Sequence, residues 1–167
     1  MLATLAAPRR ALDVAMGRGR HALVLARAGF RTFGVDRRLD AVREAVGRAA
    51  AEGLVVHGWC ADLTAAALPE ARFEVVLVTR YLQRDLFERI RRAVAPGGVV
   101  VYETFTVHQR SLGAGPTAAA HLLEPGELRE HLAGFDVWCY EEATSPEAVA
   151  RIVARKPDGP VRLDVVD

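Results

Sequence analysis

Short apolar runs alternate with amphipathic segments of helical length along most of the chain. Residues 11–14 read as a first strand, ending in the turn Ala15-Met16-Gly17-Arg18-Gly19. A helix follows through Arg27, with Leu23 and Ala26 at core spacing and Gly29 as its stop. Residues 31–35 form a second strand closed by Asp36, and the next helix places Leu39, Val42, Val46 and Ala49 on one side, with Glu44 positioned to pair with Arg48. Residues 54–59 predict a third strand, followed by Cys60-Ala61-Asp62, and the Val/Leu run 73–78 suits a fourth strand buried on both faces. A helix with Leu82, Leu86 and Ile90 at intervals of four stops at Pro96-Gly97-Gly98, and a fifth strand begins at Val99.

After that strand the rhythm changes. A polar, glycine-containing loop spans 106–121, and a helix opens around Pro125 with Leu128 and Leu132 inward. Residues 135–140 and 148–155 are then two strands with no helix between them, the second alternating Val149, Arg151, Val153 and Arg155. The pattern predicts an α/β fold: a mostly parallel seven-stranded sheet with helices on both faces and an antiparallel edge strand. The 167 residues suit a single domain, with 157–167 as a loosely held tail.

Composition narrows the class of function. Hydrophobic residues make up 51% of the chain and charged residues 26%, as in a folded globular protein. A net charge of +1 gives no one-signed field for nucleic acid or a membrane surface. No apolar run approaches the roughly 20 residues of a membrane span, and Met1 to Ala7 lacks the basic start of a secretory signal. A cytoplasmic protein is expected. Cys60 and Cys139 read as ordinary buried thiols, and neither they nor the five scattered histidines have metal-ligand spacing. No metal is expected.

Chemistry concentrates at the strand ends. The segment Asp13-Val14-Ala15-Met16-Gly17-Arg18-Gly19 joins a strand to a helix, where a tight turn exposes helix N–H groups to a ligand. Gly17-x-Gly19-x-x-Ala22 also satisfies the dinucleotide fingerprint, with Asp36 placed for ribose hydroxyls. Asp13 argues against a pyrophosphate: at about 4 Å and an effective dielectric near 20, the repulsion is roughly 4 kcal/mol. An ammonium or sulfonium would be favoured instead, and S-adenosylmethionine carries both. Asp36 would then accept from its ribose and Asp62 from its adenine amino group.

These segments, with Gly34-Val35-Asp36, Pro96-Gly97-Gly98 and the terminal strand pair, resemble a class I S-adenosylmethionine-dependent methyltransferase with a Rossmann-like fold, over essentially the whole chain. Thr79-Arg80-Tyr81-Leu82, Tyr102-Glu103-Thr104-Phe105 and Leu122–Leu128 further resemble the tellurite-resistance branch. The resemblance implies S-adenosylmethionine as cofactor, held by Asp13, Ala15, Gly17, Gly19, Asp36, Arg37, Asp62, Leu63 and Thr79. Two positions depart from the family motif, Ala15 where glycine is usual and Met16 where cysteine is usual. The alanine is tolerated if its φ is negative.

For the acceptor, the loops after the fourth and fifth strands offer Arg80, Tyr81, Glu103, His108 and Arg110. An arginine–histidine set would hold an anion, and Tyr81 would pack against the cationic donor. Arg110 reads equally as a solvated loop residue, and Tyr81 as helix-start packing. His57 and His131 read as structural. No residue is assigned a catalytic role, because a soft acceptor with a lone pair needs no general base. The function expected is methyl transfer to a small anionic or soft acceptor of the tellurite or selenite type. Alternatives are a nicotinamide-dependent oxidoreductase and a non-catalytic S-adenosylmethionine-binding partner subunit. About nine residues precede the first strand, too few for the lid of the resembled family. Cover would come from the 106–121 loop or from a second copy in a homodimer.

Overall fold

A computed structural model describes residues 9–159. The segment from Met1 to Ala7 and most of the expected tail lie outside them. The strands are β1 (Arg10–Val14), β2 (Arg31–Asp36), β3 (Val56–Cys60), β4 (Phe73–Thr79), β5 (Val94–Phe105), β6 (Asp136–Ala143) and β7 (Val149–Arg155). The helices are α1 (Arg20–Arg27), α2 (Leu39–Ala51), α3 (Phe87–Ala93) and α4 (Glu127–His131). One seven-stranded sheet has the order β3-β2-β1-β4-β5-β7-β6. The first five neighbours run parallel. β7 is antiparallel to β5 and to β6, so it inserts between β5 and the edge.

Alternation along the strands separates two cores. Leu12, Val14, Val76, Val78, Val100, Tyr102 and Ile152 pack with Phe87 and Ile90 of α3 and Leu128 of α4. On the opposite face, Ala22, Leu23 and Ala26 of α1 meet Val42, Ala45 and Ala49 of α2. These two helices cover β1 to β3. On the same face Val75, Leu77, Val99, Val101 and Val153 stay half-buried.

Several expectations change. β3 starts at Val56, since Val55 is exposed, and helix α3 is short, preceded by a 3-10 turn over Arg84–Leu86. β5 begins at Val94 and runs through Pro96-Gly97-Gly98, which therefore lies inside a strand. The buried stripe of α2 is Ala41, Val42, Ala45 and Ala49, leaving Leu39 exposed. Small residues win because α1 packs close. A Cβ on Gly19 would meet that of Ala45 at 2.5 Å. Glu44 pairs with Arg18 at 3.3 Å instead of with Arg48, whose guanidinium donates to the Arg18 carbonyl at 3.0 Å. Cys60 and Cys139 are exposed, because β3 and β6 are the two sheet edges. Met16 is buried, and its sulfur occupies the space a side chain at Gly34 would need. Glycine on β2 is what accommodates the larger residue.

Candidate functional site

A cleft of about 540 Å3 opens at the carboxyl ends of the parallel strands. That is where ligands bind in open α/β sheets, outside the point at which strand order reverses. Here the reversal lies between β1 and β4. The wall gathers Ala15, Asp36, Arg37, Asp62, Leu63, Arg80 and Tyr81 from the expected set.

Each is placed by its own loop. Asp36 ends β2 and holds the glycine turn from the side, its carboxylate accepting the Gly17 N–H at 2.8 Å and the Arg38 N–H at 2.9 Å. Two acceptor positions remain on it for a ligand. Asp62 accepts the backbone N–H and the hydroxyl of Thr64 through one oxygen, at 2.9 and 2.8 Å. Those bonds hold its carboxyl below the usual range and leave the second oxygen available. Tyr81 donates to Gln83 at 2.6 Å, and the Gln83 amide donates to the Leu63 carbonyl at 3.1 Å. This chain ties the loop after β4 to the one after β3.

Asp13 is placed differently from the expectation. It lies two residues short of the turn and points under α1, 1% exposed, and does not face the cleft. Alternation explains this, since Leu12 and Val14 take the opposite core. Its Oδ2 has no hydrogen-bond partner among the described residues. Burial lifts its pKa to about 7, against the pull of the Ala22 backbone N–H. A buried acid with one orphaned oxygen suits a cationic ligand above it and opposes an anionic one. The N-cap Gly19 offers no side-chain cap, and the first N–H groups of α1 other than that of Ala22 suit that ligand's carboxylate.

Gly17 and Gly19 shape the turn without lining the cleft, and Thr79 sits behind it at the end of β4. Three acceptor candidates lie off the wall. Glu103 is paired with Arg151. His108 is exposed, and Arg110 donates to the Thr117 carbonyl at 2.9 Å. The loop instead brings Pro116 and His121 to the cleft. It returns to β5 by a parallel bridge between Thr106 and Leu123, so residues just before Leu123 reach the site. Nothing in the spacing of the sequence marks that bridge. Arg38, Thr64, Leu82, Thr104 and Phe105 also line the wall. Four of the five directly adjoin candidate residues, and Phe105 lies two positions from Glu103; that proximity was the available signal.

Arg80 donates to Glu147 at 2.8 Å, and its guanidinium lies 5.0 Å from the Phe105 ring centre. Two sharp turns at the cleft carry strain. Arg80 has φ +54° and Ala15 has φ +55°, so the negative φ expected for Ala15 is not adopted. A left-handed alanine costs roughly 1–2 kcal/mol that glycine avoids, less the larger entropy glycine loses on folding. Ala15→Gly should therefore stabilise the protein by about 1 kcal/mol, a rise of roughly 2–4 °C in melting temperature. A lower melting temperature would mean that the methyl group's packing outweighs the strain.

Among the described residues no group of His, Cys, Asp and Glu could hold a metal ion, and no helix is long and apolar enough to cross a membrane. His57 stacks on Phe33 and His131 on Phe87, at 4.9 and 3.9 Å between ring centres.

The methyltransferase domain family matches residues 11–98. No curated protein sequence matches the chain. Among solved structures, the cyclase SpnF is similar with a TM-score of 0.75 and 21% identity, over 93% of this chain and 77% of SpnF. TehB from Haemophilus influenzae is similar with a TM-score of 0.76 and 17% identity, over 90% of this chain but only 58% of TehB. An S-adenosylmethionine-dependent methyltransferase from Mesorhizobium loti gives 0.73 and 20%, over 89% of this chain and 91% of the other. At such identities the likeness is one of fold.

Proposed function

The chain belongs to the methyltransferase domain family, and on that premise we propose that it transfers the methyl group of S-adenosylmethionine to a small acceptor. The observation that carries this reading is the pair of strand-end carboxylates, Asp36 and Asp62, in the cleft. Asp36 ends β2 and Asp62 follows β3, and the orphaned acid Asp13 lies within β1, under α1. Arg80, Phe105 and His121 line the β4–β5 side. The two carboxylates, which share their side with Arg37 and Arg38, suit the hydroxyl and amino donors of the methyl donor, and the other side suits the acceptor. Fold alone would not decide the chemistry, since a cyclase shares it.

When bound, S-adenosylmethionine supplies an activated methyl group and its own leaving group. The chain's residues then bind and align. Asp36 and Asp62 would accept hydrogen bonds from the ribose and adenine, and the remaining free N–H groups at the start of α1 would take the carboxylate. The acceptor is small, and either anionic or soft, of the tellurite or selenite type. Arg80, itself paired with Glu147, and His121 line that side of the cleft, and Pro116 and His121 bring the 106–121 loop to it as a cover. The sequence segments around Arg80 and Tyr102 support this choice of acceptor.

Thermal shift and calorimetry with three ligands test the reading. S-adenosylmethionine and S-adenosylhomocysteine should raise the melting temperature by mass action, and NAD should not. If NAD stabilises and neither adenosyl ligand does, a nicotinamide-dependent oxidoreductase replaces the methyltransferase.

A further inference from the structure

A second cleft, of about 490 Å3, lies on the sheet face opposite α1 and α2, lined by Arg10, Arg31 and Arg72 together with Phe33, Trp59 and Phe73. It exists because the connection between β3 and β4 contains no helix. That stretch crosses the face as extended chain and turns, contributing Pro69 to the rim and leaving the β2–β3 surface partly open. Its size is that of a small-molecule site. It shares no lining residue with the strand-end cleft. Arg31 and Asp36 stand at opposite ends of β2, about 17 Å apart at the rise of an extended strand.

The aromatic wall is ordered by its own contacts. Phe33 stacks on His57 and meets Phe73 edge-on at 5.7 Å. The Arg31 guanidinium sits 5.5 Å from the Phe33 ring centre. The Trp59 indole is half-buried and packs against the core.

What distinguishes this place is that three arginines and three aromatic rings line one cleft. Arg92, just beyond it, pairs with Glu70 and Glu88. Among the described residues, none of Arg10, Arg31 and Arg72 has a carboxylate partner. Glu74 accepts the Arg10 backbone N–H, at 2.5 Å. Three cleft arginines whose guanidiniums have no carboxylate partner favour an anion, which guanidinium forks bind through paired hydrogen bonds. An inorganic anion alone would leave the rings unused, and a neutral aromatic would leave the charges unmet.

We propose that this cleft binds a small aromatic anion, a planar ring carrying a carboxylate or phosphate, with the ring against Trp59 and Phe33 and the charged group on Arg31, Arg72 and Arg10. The site is separate from the methyl-donor cleft and does not depend on the function proposed for it.

Trp59 provides the readout. The chain has two tryptophans, and Trp138→Phe leaves Trp59 as the sole emitter. Benzoate and adenosine monophosphate are titrated into that variant with S-adenosylhomocysteine present, followed by emission and by calorimetry. At least one should shift the emission saturably, and which one does identifies carboxylate or phosphate as the charged group. Benzamide, acetate and inorganic phosphate should each bind at least about tenfold more weakly, because each lacks the ring or the charge. Arg31→Gln and Arg72→Gln should each weaken binding about tenfold, the scale of one lost charge-assisted contact, with melting temperature unchanged. Any of three results overturns the proposal: no saturable change with either aromatic anion, acetate or phosphate binding as well as its aromatic counterpart, or unaltered affinity in both arginine variants. Failure of S-adenosylhomocysteine to bind would count against the methyltransferase reading and leave these comparisons intact.

Discussion

Asp13→Asn should stabilise the ligand-free protein above neutral pH and weaken its hold on the methyl donor. Burial raises the pKa of Asp13 from 3.8 to about 7. The folded state therefore binds this proton more tightly than the unfolded chain does. The stability it contributes is complete below about pH 4 and is lost as pH rises to about 7. At about 1.4 kcal/mol per unit, the ionised acid costs the fold up to about 4 kcal/mol at high pH. Asparagine removes the charge and keeps the shape. The variant's advantage in urea midpoint should grow between pH 4 and 7 and level off above. A difference that does not change with pH would show that Asp13 titrates normally. Binding should move the other way. An ionised buried carboxylate attracts a cation bound above it, so asparagine should weaken the donor's binding. Wild-type affinity for S-adenosylmethionine should rise as pH approaches about 7, where Asp13 ionises, and then flatten. The Asn variant should show no such rise.

Asp36→Ala should cost both binding and folding. Loss of hydrogen bonds to the donor's ribose should weaken S-adenosylhomocysteine by about 2–3 kcal/mol. On sequence grounds folding should barely change, since Asp36 reads as a residue in a loop mouth. The structure overturns that expectation, because the same carboxylate anchors the Gly17 and Arg38 N–H groups. Removing a charged acceptor from two donors should lower stability by roughly 1–3 kcal/mol. Asp36→Asn, which keeps one acceptor oxygen, should recover part of the stability and less of the affinity. An unaltered dissociation constant in Asp36→Ala would remove the residue from the site.

The reach of sequence reasoning differs between the elements and the site's edges. Strand-end residues such as Asp36, Asp62 and Tyr81 arrive together because in a parallel sheet every β-to-α turn lies at one end. Arg80 and Ala15 are in the right place, but their left-handed backbones are invisible in residue type. His121 in place of His108 and Arg110 depended on the bridge from Thr106 to Leu123, a contact between segments of no regular pattern. The exposure of Cys60 and Cys139 followed from which strands became edges.

Local periodicity and turn chemistry determined the parallel α/β order, the glycine turn after β1 and the acids at the strand ends, because each depends on neighbours a few residues apart. Tertiary structure alone decided the insertion of β7 inside the edge, the burial of Asp13 under α1 and the small-residue stripe of α2. It also decided the aromatic and arginine cleft beneath the helix-free connection. These depend on how closely distant segments approach, as Gly19 does to Ala45 and Met16 to Gly34. Close packing sets those distances across the whole fold, and no short stretch of sequence encodes them.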